Sequence, residues 1–466
     1  LKRKIKKYNS TFFLKKTLLI IFSSSVSFTQ SIDLGVHFIE DKEKPFWISS
    51  NNSGIYYNSS IISFKIYEKL KELNYGVQII YPQNQSEKLF FSQAYLNLFI
   101  NKFYLNMGIR PLLQKTNSLS SGSLVESLNA QPIPKISFGT INYKDFSFLN
   151  FKIQYLVKIA HGWIKSNEYI KNPFLHEKSI NIKKEISESS YLKIGLKHMA
   201  IWGGETRQFG KQPSSLNDFF RVALAMPGGK NSINQEQKNS LGNHLGAWTL
   251  SFNKNYKDRV LNIYMEHPFE DESGARWILN EFDGLYGINI NQEKLSYISS
   301  FTYEHINTMD QSGSKGASDS TYGWDNYYNH YIYQPGWTNK GRVIGNPLFT
   351  LGSNKGRYSE SQYIINNRFK AHHFGFLGSI SDRIYYKLLF TYSENFGIYP
   401  DEYYFKSNNK AYRFESGLIQ RSGLIELSTK NLYDKIDVSL VYGFDNGELL
   451  DKTDSFMLKI NHKFAF

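Results

Sequence analysis

Residues 455–466 read Ser-Phe-Met-Leu-Lys-Ile-Asn-His-Lys-Phe-Ala-Phe and carry the sequence to its end. In an extended chain Phe456, Leu458, Ile460, His462, Phe464 and Phe466 fall on one face, and Met457, Lys459, Asn461, Lys463 and Ala465 on the other. A strand that crosses a bilayer needs about ten residues that alternate between lipid and lumen, and a terminal aromatic commonly closes the last strand of such barrels. An edge strand of a soluble sandwich would show the same period. The rest of the chain decides between the two.

Residues 1–30 have the three parts of a secretory signal. Lys2, Arg3, Lys4, Lys6, Lys7, Lys15 and Lys16 form a basic leader, and Thr17 to Val26 is apolar but too short to span a bilayer as a helix. Small and polar residues then run to Gln30, near which cleavage is expected. The mature chain, 31–466, reads as a single barrel. The sequence holds no cysteine, which excludes disulfides, thiolate chemistry and a lipid-anchor cysteine.

The formal charge of +14 overstates the basicity, because seven of the positive residues belong to the leader and the remainder carries +7. That charge is dispersed, with no basic helix or aromatic ladder, so nucleic acid is excluded as a partner. Aromatic content is more telling. There are 33 Tyr, 35 Phe and 7 Trp, yet no apolar run beyond the leader, the pattern of a barrel with aromatic girdles.

Short connections rich in Asn, Asp, Lys or Ser can be read at 69–73, 101–102, 143–146, 187–190, 254–258, 291–294, 379–383 and 429–435. Alternating segments lie between them, such as Leu295, Tyr297, Ser299, Phe301 and Tyr303, or Ile384, Tyr386, Leu388, Phe390 and Tyr392. Longer loops fall at 41–57, 83–88, 111–135, 164–178, 203–243, 268–280, 309–369, 396–416 and 445–453. Eight turns and nine loops predict an all-β, closed antiparallel transmembrane barrel of about 18 strands, with short periplasmic turns and long extracellular loops.

The residues suited to recognition concentrate in those outer loops. Sugar rings offer apolar faces that stack on Trp and Tyr, and hydroxyls that pair with carboxylates, amides and Arg. On this basis Trp324, His330, Tyr331, Tyr333 and Trp337 are candidate stacking or hydrogen-bonding residues, with Arg207, Glu270, Asp271 and Arg342 as polar partners. The same aromatics could instead pack a long loop down into the barrel.

A series of short motifs recurs in a recognisable order. It runs from Gly108-Ile109-Arg110, the stretch Leu119 to Leu124, Pro132-Ile133-Pro134 and His161-Gly162-Trp163 to His198 through Gly204 and Leu241 through Gly246. It continues with Glu266 to Gly274, Phe282-Asp283-Gly284, Glu304-His305 and Tyr328 to Pro347. Over about residues 100–355 the chain resembles the capsule assembly Wzi family. The resemblance implies an eighteen-stranded outer-membrane lectin that holds exported capsular polysaccharide at the cell surface. Its partners would be capsular or other surface polysaccharide, outer-membrane lipid and, during insertion, the barrel assembly machinery, and it would act as a monomer. Better-known members carry a helical bundle before the first strand, whereas here strand-like sequence begins within a few residues of Ser31.

Other chemistries fit less well. Glu270, Asp271 and Glu272 cluster near His267, but adjacent loop residues seldom converge as a glycosidase pair does, so no enzyme is expected. The histidines lack the tight pairing of a zinc motif, and Pro227-Gly228-Gly229-Lys230 lacks the upstream glycine of a phosphate loop, so neither metal nor cofactor is implied. The rival function is a channel for oligosaccharides or small solutes. What separates it from a lectin is whether the 309–369 loop fills the lumen. A purely structural barrel is the third possibility.

Overall fold

A computed structural model describes residues 31–465 apart from 41, 85–87, 113–116, 149–150, 271–281, 293–295, 313–324, 353–363, 399–412 and 434. The leader, Trp324, Asp271, Phe466 and much of the 268–280 and 396–416 loops lie outside the described residues.

Eighteen strand positions close one antiparallel barrel. The first nine are β1 (Ser31–Ile39), β2 (Ile61–Lys69), β3 (Leu73–Pro82), β4 (Phe90–Ile100), β5 (Phe103–Ile109), β6 (Lys135–Thr140, continued by Lys144–Phe148), β7 (Phe151–Trp163), β8 (Phe174–Ser187) and β9 (Ser190–Trp202). The second nine are β10 (Asn243–Tyr256), β11 (Arg259–Phe269), β12 (Gly284–Gln292), β13 (Ser300–Asn307), β14 (Phe369–Ser379), β15 (Ile384–Gly397), β16 (Arg413–Thr429), β17 (Ile436–Gly447) and β18 (Thr453–Ala465). The two pieces of β6 pair in succession with β7, so they occupy one position in the wall. Closure is made by β1 against β18, from Ser31 opposite Ala465 to Ile39 opposite Met457. Every strand therefore finds two partners, which satisfies backbone groups that lipid could not.

The period-2 pattern sorts the two faces. Leu34, Phe64, Ile159, Ile180, Ile194, Ile288, Phe390, Leu440 and Phe456 are exposed on the outer surface around the circumference. Tyr256, Tyr297 and Tyr433 stand exposed at the turn end, and Tyr81 and Trp163 at the loop end, the arrangement of two interfacial girdles. Met457, buried inside, and Phe456, exposed outside, bear out the alternation read in the last strand.

Two local expectations are corrected. Lys144–Phe148 is strand, opposite Phe151–Tyr155, so the chain does not turn at 143–146. Of the alternating segment 295–303, Leu295 lies outside the described residues and Ser296 to Ser299 are not strand; β13 begins at Ser300 and Tyr297 is exposed in the turn. In both cases alternation continues across a turn, and only pairing marks the boundary.

Candidate functional site

The outer loops do not all stand outside. Residues 119–133 and 325–351 turn inward and zip together inside the barrel. Ser127 N–H donates to the Ile344 carbonyl at 2.8 Å, the Asn129 amide to the Val343 carbonyl at 3.0 Å, and the Asn339 amide to the Gln131 carbonyl at 2.9 Å. Tyr328 stacks on Phe349 at 3.8 Å, and its hydroxyl donates to the Leu124 carbonyl. Gly345 permits this approach, since a Cβ there would collide with the Leu124 carbonyl and the Tyr328 hydroxyl. A short helix, α1 (Phe46–Ser49), enters from the 40–60 loop and buries Trp47 and Ile48; the Trp47 indole donates to Thr391 Oγ1 at 3.1 Å.

Inward-facing carboxylates of the wall hold this plug. Glu304 accepts from Ser120 Oγ at 2.6 Å, Ser121 N at 2.7 Å and Tyr264 Oη at 2.6 Å, and Glu266 accepts from Ser123 Oγ at 2.7 Å. His373 contacts the Leu119 carbonyl at 2.8 Å. The Leu119-to-Leu124 motif and Glu304 of the Glu304-His305 motif are thus two halves of one anchor. Glu126 of the plug meets Lys135 at 2.6 Å and Lys197 at 2.7 Å, and Glu177 meets Lys135 at 2.8 Å and Lys158 at 2.5 Å. Burial opposes the charge on Glu126, but Lys135 and Lys197 outweigh it and hold the carboxyl below its usual range. Each of these charges has a partner, as burial of the two carboxylates demands.

Above the plug lies a wetter surface. Glu205–Thr206 pairs with Ile170–Lys171 on one side and Gly210–Lys211 on the other, which brings the 164–173 and 203–242 loops together. Arg207 N–H donates to the Tyr169 carbonyl at 2.9 Å, and the Asn167 amide donates to the Gln334 carbonyl at 3.2 Å. Phe209 meets Tyr331 edge to face at 5.8 Å, and Tyr331 stacks on His330 at 5.1 Å. His330 Nδ1 accepts from the backbone N–H of Ile332 at 3.2 Å, and burial lowers its pKa to about 3, so the ring is a neutral acceptor. Lys165, Lys171, Arg207, Lys211 and Lys340 are exposed on this platform, against Glu168 and Glu205.

The candidate residues divide accordingly. Arg207, His330 and Tyr331 converge on the platform. Trp337 and Tyr333 require correction as surface stacking residues: they are 0% and 1% exposed, and the Trp337 indole donates to the Val125 carbonyl at 2.9 Å. Their aromatic faces are satisfied by protein, because the loop that carries them was drawn into the lumen. Glu270 accepts from Tyr328 N–H at 2.7 Å and serves the plug. Arg342 lies over the Tyr56 ring at 4.6 Å and donates to the Ser49 carbonyl at 2.5 Å; burial lowers its pKa and Tyr56 opposes that shift. Asn167, Tyr169, Phe209 and Gln334 were missed. The only signal for them was membership of an outer loop mixing aromatics with amides and lysines.

A closed barrel with an apolar belt, a lumen occupied by its own loops and a polar, aromatic platform at the loop end defines an outer-membrane protein of the plugged kind. More narrowly, the chain belongs to the capsule assembly protein Wzi family, whose profile matches residues 49–358, more than half of its length. Its structure is similar to that of Wzi from Escherichia coli, with a TM-score of 0.60 and 13% identity over 99% of this chain and 90% of that one. That protein is described as an outer-membrane, carbohydrate-binding β-barrel involved in group 1 capsule assembly. More distant are two Pseudomonas aeruginosa proteins. OpdK with vanillate has a TM-score of 0.48 and 8% identity over 94% and 98% of the two chains, and the outer membrane protein OprD has 0.45 and 8% over 94% of each. No curated protein matches the chain in sequence.

Proposed function

We propose that this protein is a non-enzymatic lectin that attaches exported capsular polysaccharide to the cell surface through the loop-end platform. The observation that carries this is the convergence of Tyr331, Phe209, Tyr169, Arg207, Asn167 and Gln334 above a plug. Aromatic faces beside amide and guanidinium donors suit sugar rings, and the five exposed cations favour a polysaccharide bearing carboxylate or phosphate. Glu270 is engaged with the Tyr328 backbone, which supports binding over glycosidase chemistry. The inward loops favour binding over conduction. Outer-membrane lipid and, during insertion, the barrel assembly machinery are the other partners in this proposal, and a monomer suffices because the platform is built from one chain.

The test is capsule partition in a deletion strain complemented with the wild-type chain or with Arg207→Ala plus Tyr331→Ala. Release of polysaccharide into the medium at unchanged total synthesis, restored by the wild type and not by the double variant, is the expected result. Unchanged retention in the deletion strain overturns the attachment role.

A further inference from the structure

Part of the 203–242 loop, residues 214–226, behaves unlike the others, for it folds over the outside of the wall. The outward positions of β7 to β10 follow from the exposed Ile159 and Trp163, Ile180 and Ile182, Ile194, and Leu250. By that alternation His161, Phe174, His176, His198, Ala200, Trp202 and His244 also point outward, and the register confirms it by setting His176 opposite both His161 and Ala200. Four histidines on a lipid-facing wall would be costly if bare. They are covered. Helix α2 (Leu216–Ala223) lies across them, capped at its start by Ser215 and Asp218. Phe219 packs edge to face on His176 at 5.3 Å and at 6.0 Å from Trp202, while Val222 is buried with Ala200, Trp202 and Leu241. Lys178, also on the outer wall, donates to the Ala223 carbonyl at the helix end.

The helix is apolar on its other side as well. Leu216, Phe220 and Leu224, spaced four apart on one face, are 73%, 55% and 66% exposed, and Met226 beyond them is 44% exposed. This row continues the outer belt formed by Trp163, Ile159 and Ile180 on the strands beneath. His176 stands eleven residues above Ser187 at the turn end of β8. At a rise of about 3.3 Å per residue and a tilt of about 40°, that is roughly 28 Å, the upper edge of a lipid-facing band about 25 Å tall.

We propose that the 214–226 flap is a lateral membrane anchor, its Leu216, Phe220, Leu224 and Met226 face contacting the acyl chains of the outer leaflet just below the head groups. Continuity with the lipid-facing belt selects lipid over a protein partner, and a polar flank of Lys230 and Lys238 leads back to water. Arg207 and Phe209 belong to the same loop, so the anchor holds the platform at membrane level.

The absence of cysteine makes the test direct. Single variants Phe220→Cys, Leu224→Cys and Lys238→Cys of the full chain are labelled with an environment-sensitive fluorophore and reconstituted in phosphatidylcholine vesicles with or without acyl-chain bromine. Heat-modifiable migration verifies the barrel. Brominated lipid is expected to quench positions 220 and 224 about twofold or more and to leave 238 nearly unchanged, as suits an apolar face about 5–10 Å deep. Quenching at 220 and 224 no greater than at 238 overturns the proposal. So does lipid-protected fluorescence accompanied by cross-linking between copies at 220, which would make the face a dimer contact. Neither outcome bears on glycan attachment, which is read separately from capsule partition.

Discussion

Replacing Trp337 by Ala tests whether that ring belongs to the plug. The side chain is fully buried and joins the two zipped loops through its indole N–H to Val125. Removing an aromatic from such a site costs about 3–5 kcal/mol, and a buried carbonyl left without its donor costs about 1–3 kcal/mol, contributions that overlap. A loss of about 4 kcal/mol raises the population of the opened plug by roughly three powers of ten. The wall is held by its own closed ladder, so the loss appears as local opening and not as barrel unfolding. In planar bilayers the wild type is expected to be nearly silent and Trp337→Ala to show frequent conducting events, with protease cleavage inside 325–351. Trp337→Phe keeps most of the volume and loses chiefly the donor, about 1–3 kcal/mol, and should stay closer to wild type while still binding polysaccharide. If Trp337→Phe abolishes binding while the plug stays protease-resistant, the ring touches sugar and the reasoning is refuted.

Truncating Glu126 to Ala leaves Lys197 and Lys135 short of a buried partner, at a cost of about 3–5 kcal/mol, and should raise conductance in the same bilayer assay. Arg207→Ala should lower polysaccharide affinity by about tenfold at low salt and by less at high salt, measured by retention on a glycan surface, as expected for an exposed cation. Glu236 makes the packing of the 227–242 segment sensitive to pH. Burial pushes its carboxyl up to about 7, against the Gly242 N–H that it accepts at 3.1 Å. Because the packed pKa lies above the ordinary 4.5, that packing is fully favoured below about pH 4.5 and loses about 3 kcal/mol as pH rises through 7. Amide exchange in 225–242 should therefore quicken between pH 5 and pH 8 beyond its intrinsic trend, and Glu236→Gln should remove that excess.

The plug also accounts for why short motifs are scattered over so much of the chain. Ser120 and Ser121 need Glu304, Ser123 needs Glu266, and Gly375 admits Leu119, whose Cβ would be 2.6 Å from a Cβ at 375. Each pair joins positions far apart in sequence.

Strand positions, their number and the identity of the lipid face were legible in the sequence, because alternation and turn chemistry act between near neighbours. The alternation of Phe456 and Met457 needs no knowledge of the partner strand. Even the family was readable from ordered short motifs. The fate of the loops was not. Trp337 is satisfied by Val125, 212 residues away, and Phe219 by histidines on the opposite side of the wall from the plug. An aromatic ring packs as well on a carbonyl, a histidine or lipid as on a sugar. Only the closed barrel, by fixing which loops are long enough to fall inward and which to fold over the rim, decided that Trp337 holds the plug, that Tyr331 faces the mouth and that Phe220 looks out from the wall.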